Sequence, residues 1–141
     1  MQWERPRFDH RYTIEHFGLS TTEQCYRIKA LGAIVSANIY YLSETGDKYT
    51  EEGLGYERAS QISRLGALAR NNVITAFHSD YTMAPALPLN SVHVAVNRKT
   101  MSGKVYSPEE CLSVDQAMRA ITIDAAYVLG MENEIGSLRS G

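Results

Sequence analysis

Short apolar runs alternate with amphipathic stretches along this chain. Tyr12-Thr13-Ile14-Glu15-His16-Phe17 is short and rich in β-branched and aromatic residues, and it reads as a strand. Ser20-Thr21-Thr22-Glu23 then spells a capping box, with Ser20 as the cap and Glu23 reaching back. A helix is therefore expected from about Thr21 to Leu31, stopped by Gly32. Ala33-Ile34-Val35-Ser36-Ala37 is a second short apolar strand. Residues 40–55 carry Gly46, Gly53 and Gly55 among scattered charges and read as a long loop, of the kind that is usually functional. Glu57 to Arg70 reads as one helix with Ile62, Leu65 and Leu68 on one side. Asn71-Asn72 breaks it before a third strand, Val73-Ile74-Thr75-Ala76-Phe77.

Beyond that strand, His78-Ser79-Asp80-Tyr81 opens a polar loop with Pro85 and Pro88, and a helix is expected from near Leu89 to Lys99. Ser107-Pro108-Glu109-Glu110 has the cap, first-turn proline and box glutamate of a short helix. Ser113-Val114-Asp115-Gln116 opens another, whose apolar positions Val114, Ala117, Ile121, Ala125 and Val128 recur at helical spacing up to Gly130. Strands alternating with helices imply right-handed crossovers and a parallel sheet, so the fold class is α/β.

Composition narrows the functions available. With 14 Lys+Arg against 16 Asp+Glu in 141 residues, the net charge of -2 gives no electrostatic grip on nucleic acid or anionic lipid. No apolar run approaches the ~20 residues of a membrane span. Met1-Gln2-Trp3-Glu4-Arg5-Pro6-Arg7 has charges with no apolar stretch behind them, so no secretory leader is expected there. Two cysteines, Cys25 and Cys111, lie far apart and outside any metal-type pair, and the expected setting is the reduced cytoplasm. A complete β/α barrel takes about 250 residues, more than this chain has.

In parallel α/β folds, working side chains gather at the carboxyl ends of strands. His16, His78 and Asp80 occupy such positions. Alternation puts Tyr12, Ile14 and His16 on one face of the first strand, and Ile74, Ala76, His78 and Asp80 on one face of the third. An imidazole and a carboxylate there can jointly bind a divalent metal, and the carboxylate can take the proton of an attacking water. Plainer readings stand beside this one: a hydrogen-bonding His16, a space-filling His78, and an Asx turn or helix cap at Ser79-Asp80. His10 and His93 read as surface residues, and both cysteines as packing residues. Gly53-Leu54-Gly55 lacks the third glycine and preceding strand of a dinucleotide fingerprint. Tyr40-Tyr41 can line a pocket or pack against a loop.

Taken together, these residues resemble the amidohydrolase superfamily, in the branch called amidohydrolase family 3. Tyr12-Thr13-Ile14-Glu15-His16 is similar to its sixth-strand segment, and Phe77-His78-Ser79-Asp80 to its eighth-strand end. Leu54-Gly55-Tyr56-Glu57-Arg58, Pro88-Leu89, Ala95-Val96-Asn97-Arg98, Ser113-Val114-Asp115-Gln116-Ala117, Thr122-Ile123-Asp124-Ala125-Ala126, Gly130 and Ile135-Gly136-Ser137-Leu138-Arg139-Ser140-Gly141 keep the family order. The resemblance implies a partial TIM-type β/α barrel: one fragment-like unit over 1–141, with about three parallel strands, flanking helices and a helical C-terminal part.

It also implies hydrolysis of C–N bonds other than peptide bonds in small-molecule amides, with a divalent metal, zinc, as cofactor. His16 would bind metal or a substrate oxygen; Asp80 would bind metal and act as general base. His78 departs from the family pattern and carries no family role.

The first-strand His-x-His pair, the fourth-strand lysine and the fifth-strand histidine have no counterpart here. The chain is thus expected to lack most metal ligands, to be inactive alone, and to form a homo-oligomer or need the missing barrel segment. The alternative is a non-catalytic α/β module acting through self-association or a protein partner.

Overall fold

In a computed structural model, the structure describes Glu4 and residues 6–140. Most of Met1–Arg5, part of the opening read for a leader, and Gly141 fall outside them. Three strands, β1 (Thr13–His16), β2 (Ile34–Asn38) and β3 (Thr75–His78), form a parallel sheet in the order β1-β2-β3. Helix α1 (Thr22–Ala30) joins the first two. Helices α2 (Tyr40–Tyr49), α3 (Gly55–Ala59) and α4 (Leu65–Arg70) lie between the second and third. After β3 come α5 (Pro88–Asn97), α6 (Val114–Ala120) and α7 (Ile123–Leu129). This is a partial β/α barrel with its concave sheet face open. Among the described residues, no helix is long and apolar enough to cross a membrane.

Val35, Ala37, Cys25, Ile28, Leu65, Leu68, Val94 and Ala117 build the main core between sheet and helices, with Phe77 packed against it. Burying such side chains contributes roughly 1.5–3 kcal/mol each for the larger ones. A smaller cluster of Leu42, Ala59, Ile62 and Tyr106 lies apart from it.

That division explains two corrections to the expected helices. The helix expected over Glu57–Arg70 is two, α3 and α4, because Ile62 belongs to the small cluster while Leu65 and Leu68 belong to the large one. One straight helix cannot serve both. Ser63, at φ 49°, makes the turn between them. The long loop expected over 40–55 is instead helix α2 running into a π-helical turn, Thr50–Leu54. Ile39, Leu42, Ser43 and Gly46 are its buried stripe. Gly46 lets the 98–106 hairpin close on it: an added Cβ would stand 3.2 Å from Thr100 Cγ2.

Other boundaries shift locally. Thr21, not Ser20, caps α1, in a reciprocal box with Gln24; the Ser20 hydroxyl instead lies 3.8 Å from Cys25 Sγ. Ser107 does not cap its helix, which is a single 3₁₀ turn, Pro108–Glu110. Ser113 does cap α6 with Gln116 as the partner, but the helix breaks at Ile121-Thr122 before α7, which ends at Gly130. The returning tail causes the break: Gly136 packs so closely that a Cβ there would come within 2.9 Å of Thr122 O and Ile123 Cα.

Gly66 makes a similarly close approach inside α4. A Cβ there would meet Glu109 O at 2.5 Å and Glu110 Cα at 2.7 Å. Alanine normally gains about 1 kcal/mol over glycine within a helix. Here Gly66→Ala is expected to destabilise by about 1–3 kcal/mol instead, through overpacking against backbone. A denaturant midpoint at or above that of the unaltered chain would refute this.

Arg11 straps the segment before β1 to the end of α7. Its guanidinium donates to both Glu132 oxygens, to Asp9 and, at 3.0 Å, to Tyr127 O, and lies 4.0 Å above the Tyr127 ring. These bonds hold the Asp9 and Glu132 carboxyls below their usual range. Depressed carboxyl pKa values stabilise above the unfolded values and lose that contribution as pH falls through the folded ones. The strap should therefore loosen from about pH 5 downward. Amide exchange of residues 9–12 against pH reports it, and Arg11→Met should abolish the acid dependence.

Candidate metal centre

The strand register places the candidate residues. Ile14 is level with Val35 and Thr75, and His16 with Ala37 and Phe77. Regular alternation would thus put Ile14 and His16 on the helix-covered face, and Glu15, Ser36, Ala76 and His78 on the open one. The two faces expected to converge are, by register, opposite faces. Left-handed backbone at the strand ends resolves this: φ is 67° at His16 and 53° at Asp80. Both side chains swing out of the alternation and meet His78 at the carboxyl end of the sheet.

There, one ligating atom from each of His16, His78 and Asp80 lies within 4.8 Å of the others. His16 Nδ1 is 3.8 Å from Asp80 Oδ2, and the His16 and His78 rings stand edge to face at 5.1 Å. Around a tetrahedral ion with bonds of about 2.0–2.1 Å, donor atoms sit about 3.4 Å apart. The cluster is within a small side-chain adjustment of that spacing. The backbone closes the turn after Asp80, with Met83 N–H donating to Asp80 O at 2.6 Å, while the carboxylate faces His16.

Two residues join this end of the sheet that sequence alone did not place. Tyr41 carries its hydroxyl to 3.3 Å from His16 Nδ1 and stacks beside that ring. It follows a buried Tyr40 whose own hydroxyl accepts from Asn90 Nδ2 at 3.1 Å. The pair thus divides its labour: Tyr40 packs, and Tyr41 lines a cavity of about 370 Å³ with Leu19, Tyr49, Leu54 and Ile62. Glu15 brings its carboxylate to 4.0 Å from His78 Nε2. That buried nitrogen has no hydrogen-bond partner, and neither has Asn38 Nδ2. Orphaned buried polar atoms are uncommon in folded proteins and mark a place for a missing partner. Burial, and secondarily the neighbouring His16, push the His78 imidazole below its ordinary pKa. It is therefore neutral at neutral pH, the form that ligates metal.

The remaining candidates take other places. His93 is exposed on α5, as expected. His10 is half-buried and structural, bonding Leu31 O through Nε2 at 2.8 Å. Cys25 is buried in α1, whereas Cys111 is half-buried in extended chain after the 3₁₀ turn, not in a helix.

A hydrolase-type β/α barrel segment, with imidazole and carboxylate at its strand ends, is the class these features define. The chain belongs to the amidohydrolase family, whose sequence model matches residues 2–141. Among solved structures, it resembles an uncharacterised metal-dependent hydrolase from Pyrococcus furiosus, 31% identical with a TM-score of 0.74, covering 92% of this chain and 26% of that one. An atrazine chlorohydrolase from Arthrobacter aurescens TC1, complexed with zinc, shares the fold at 16% identity and a TM-score of 0.62, covering 99% of this chain and 28% of that one. Protein LONG AFTER FAR-RED 3 of Arabidopsis thaliana is 31% identical over 94% of this chain and 23% of its own length. The N-substituted formamide deformylase of Arthrobacter pascens is 26% identical over 91% of this chain and 24% of its own. The chain thus spans about a quarter of the length of the relatives it matches.

Proposed function

We propose that residues 1–141 act as one α/β unit supplying part of the active site of a metal-dependent amidohydrolase that cleaves C–N bonds other than peptide bonds in small molecules. The observation that carries this reading is the approach of His16 Nδ1 to Asp80 Oδ2, 3.8 Å, at the sheet's carboxyl end in a chain of this family. The chain's similarity to the N-substituted formamide deformylase and to the metal-dependent hydrolase supports the substrate class and the cofactor. His16 and Asp80 would hold a divalent ion, zinc in this reading. Such an ion supplies a water of pKa near ~7 and polarises a substrate carbonyl. Asp80, half-exposed at the mouth of the sheet, accepts the proton of the attacking water and returns it to the leaving nitrogen. Tyr41 places its hydroxyl 3.3 Å from His16 Nδ1 and offers a substrate the apolar wall that it forms with Leu54 and Ile62.

The test is divalent metal per folded chain, measured with oligomeric state by size exclusion. Stoichiometric ion, lost in His16→Ala and in Asp80→Ala, is the expected result; a folded chain that takes up no zinc overturns this reading. The chain by itself should show little or no amide hydrolysis, because the described residues bring only two family-type ligands together, His16 and Asp80. Robust zinc-dependent hydrolysis that Asp80→Ala abolishes would contradict that expectation.

A second reading, a non-catalytic module acting through self-association or a protein partner, is favoured by the outer side of β1. Among the described residues no strand pairs with it there, and a groove of about 420 Å³ lined by Ile14, Phe17, Leu19, Ile28 and Leu31 runs beside it. Open strand edges invite pairing with another chain. A concentration-dependent oligomer without bound metal would select it.

A further inference from the structure

We propose that His78 is a third metal ligand, so that this chain alone presents two imidazoles and one carboxylate to a single divalent cation. The inference rests on the reading of His16 and Asp80 as ligands and adds to it a residue outside the family pattern.

Three observations point the same way. One ligating atom from His78 lies within 4.8 Å of those of both His16 and Asp80, so the three donors stand together at the carboxyl end of the sheet. They come from opposite outer strands of the sheet. Asn38 of β2 is level with His78, and its buried Nδ2 also lacks a partner at this end of the sheet. His78 also has a buried ring nitrogen, Nε2, with no hydrogen bond, which is costly unless another group satisfies it. Glu15 stands 4.0 Å from that nitrogen, beyond hydrogen-bond distance, and so does not satisfy it.

The donor set has a consequence for the ion. Two neutral imidazoles and one carboxylate on a single face leave further positions open for water or a substrate oxygen, and they suit borderline first-row metals such as Zn²⁺ and Co²⁺ better than Mg²⁺ or Ca²⁺. Two ligands alone would bind such ions weakly; a third, already in place, turns the strand ends into a site.

The full chain, stripped with chelator, should be titrated with Zn²⁺ against a chromophoric competitor and with Co²⁺ by its visible absorption. The expected result is one ion per chain, an affinity at least about tenfold weaker in His78→Ala, and a weaker or altered Co²⁺ spectrum in that variant. Circular dichroism checks that His78→Ala is folded, and His78→Asn replaces it if it is not. Unchanged affinity and spectrum in the His78 variant, with loss of binding in His16→Ala and Asp80→Ala, would overturn this inference and leave the reading of the other two ligands standing. Absence of binding by the unaltered chain would overturn both. Competition by millimolar Mg²⁺ at parity with Zn²⁺ would contradict the proposed donor set.

Discussion

Arg98→Met is expected to lower the unfolding free energy by about 3–5 kcal/mol. Arg98 is 1% exposed, and its guanidinium has no carboxylate partner. It donates instead to four backbone carbonyls: Tyr106 at 2.9 Å, Ser63 at 2.8 Å, Ser60 at 3.1 Å and Ile62 at 2.9 Å. Burial drives its pKa down, opposed by the nearby Glu110 carboxylate. Charge-assisted bonds of this kind contribute about 1.5–3 kcal/mol each, and methionine would leave all four acceptors without that donor. Methionine replaces the aliphatic stem but not the guanidinium, so the loss combines the bonds with the buried space that group fills.

The damage should reach the metal centre. Three of the four carbonyls that Arg98 gathers, those of Ser60, Ile62 and Ser63, belong to the turn between α3 and α4, and that turn carries the ends of two strands. Ser63 N–H donates to Gly18 O at 2.8 Å, and Ser63 Oγ donates to Asn38 O at 3.1 Å. Leu19 also bridges Ile62. Gly18 follows His16 by two residues, and Asn38 precedes Tyr40-Tyr41, so Arg98 fixes the chain on both sides of the His16–Tyr41 contact. Arg98→Met should weaken zinc binding as well as stability, whereas Arg98→Lys, which keeps the charge but not the planar fork, should fall between. Urea unfolding and zinc titration of the same variants check both. A midpoint shift below about 1 kcal/mol would show that the carbonyls find other donors.

Much of this was legible in the sequence, and the rest was hidden for identifiable reasons. The three strands announced themselves because their apolar runs are short, β-rich and bounded by turn residues, and parallel order followed from alternation with helices. His16 and Asp80 were legible as strand-end polar residues. Their convergence was not, because it depends on left-handed φ values at non-glycine residues that no local pattern signals. Helix α2 was masked by its charges and Gly46, although Ile39, Leu42, Ser43 and Gly46 carry helical spacing with small residues where a hairpin packs. No local pattern marks Arg98 as buried, because its four carbonyl partners come from Ser60, Ile62, Ser63 and Tyr106. The helix expected over Glu57–Arg70 breaks because one apolar stripe cannot serve two cores, and the one from Ser113 breaks where Gly136 packs against Thr122 and Ile123. Glu110 was taken for a capping-box residue by spacing alone, and its side chain turns the other way.

Glu110→Ala should cost about 3–5 kcal/mol, for the opposite electrostatic reason. Glu110 is 1% exposed and is the counter-charge for two arginines: Arg64 at 3.1 Å and Arg70 at 3.2 Å. It also accepts from Ala67 N–H at 2.6 Å, satisfying a donor in the first turn of α4 that has no intrahelical partner. Removing it leaves Arg64, largely buried, with its charge unpaired, and leaves that N–H without an acceptor. Arg64 also donates to Thr22 Oγ1 at 2.9 Å, so the same carboxylate ties α4 to the start of α1. Glu110→Gln separates charge from shape: it keeps one acceptor oxygen but sets an amide NH₂ against guanidinium, and should recover less than half of the loss. Because Glu110 also opposes the desolvation of Arg98, the two sites are coupled. In Arg98→Met, which no longer needs that counter-charge, Glu110→Ala should cost less than in the unaltered chain. A double-mutant cycle showing simple additivity would mean that the two buried charges act independently, and that the turn carrying the strand ends is held by Arg98 alone.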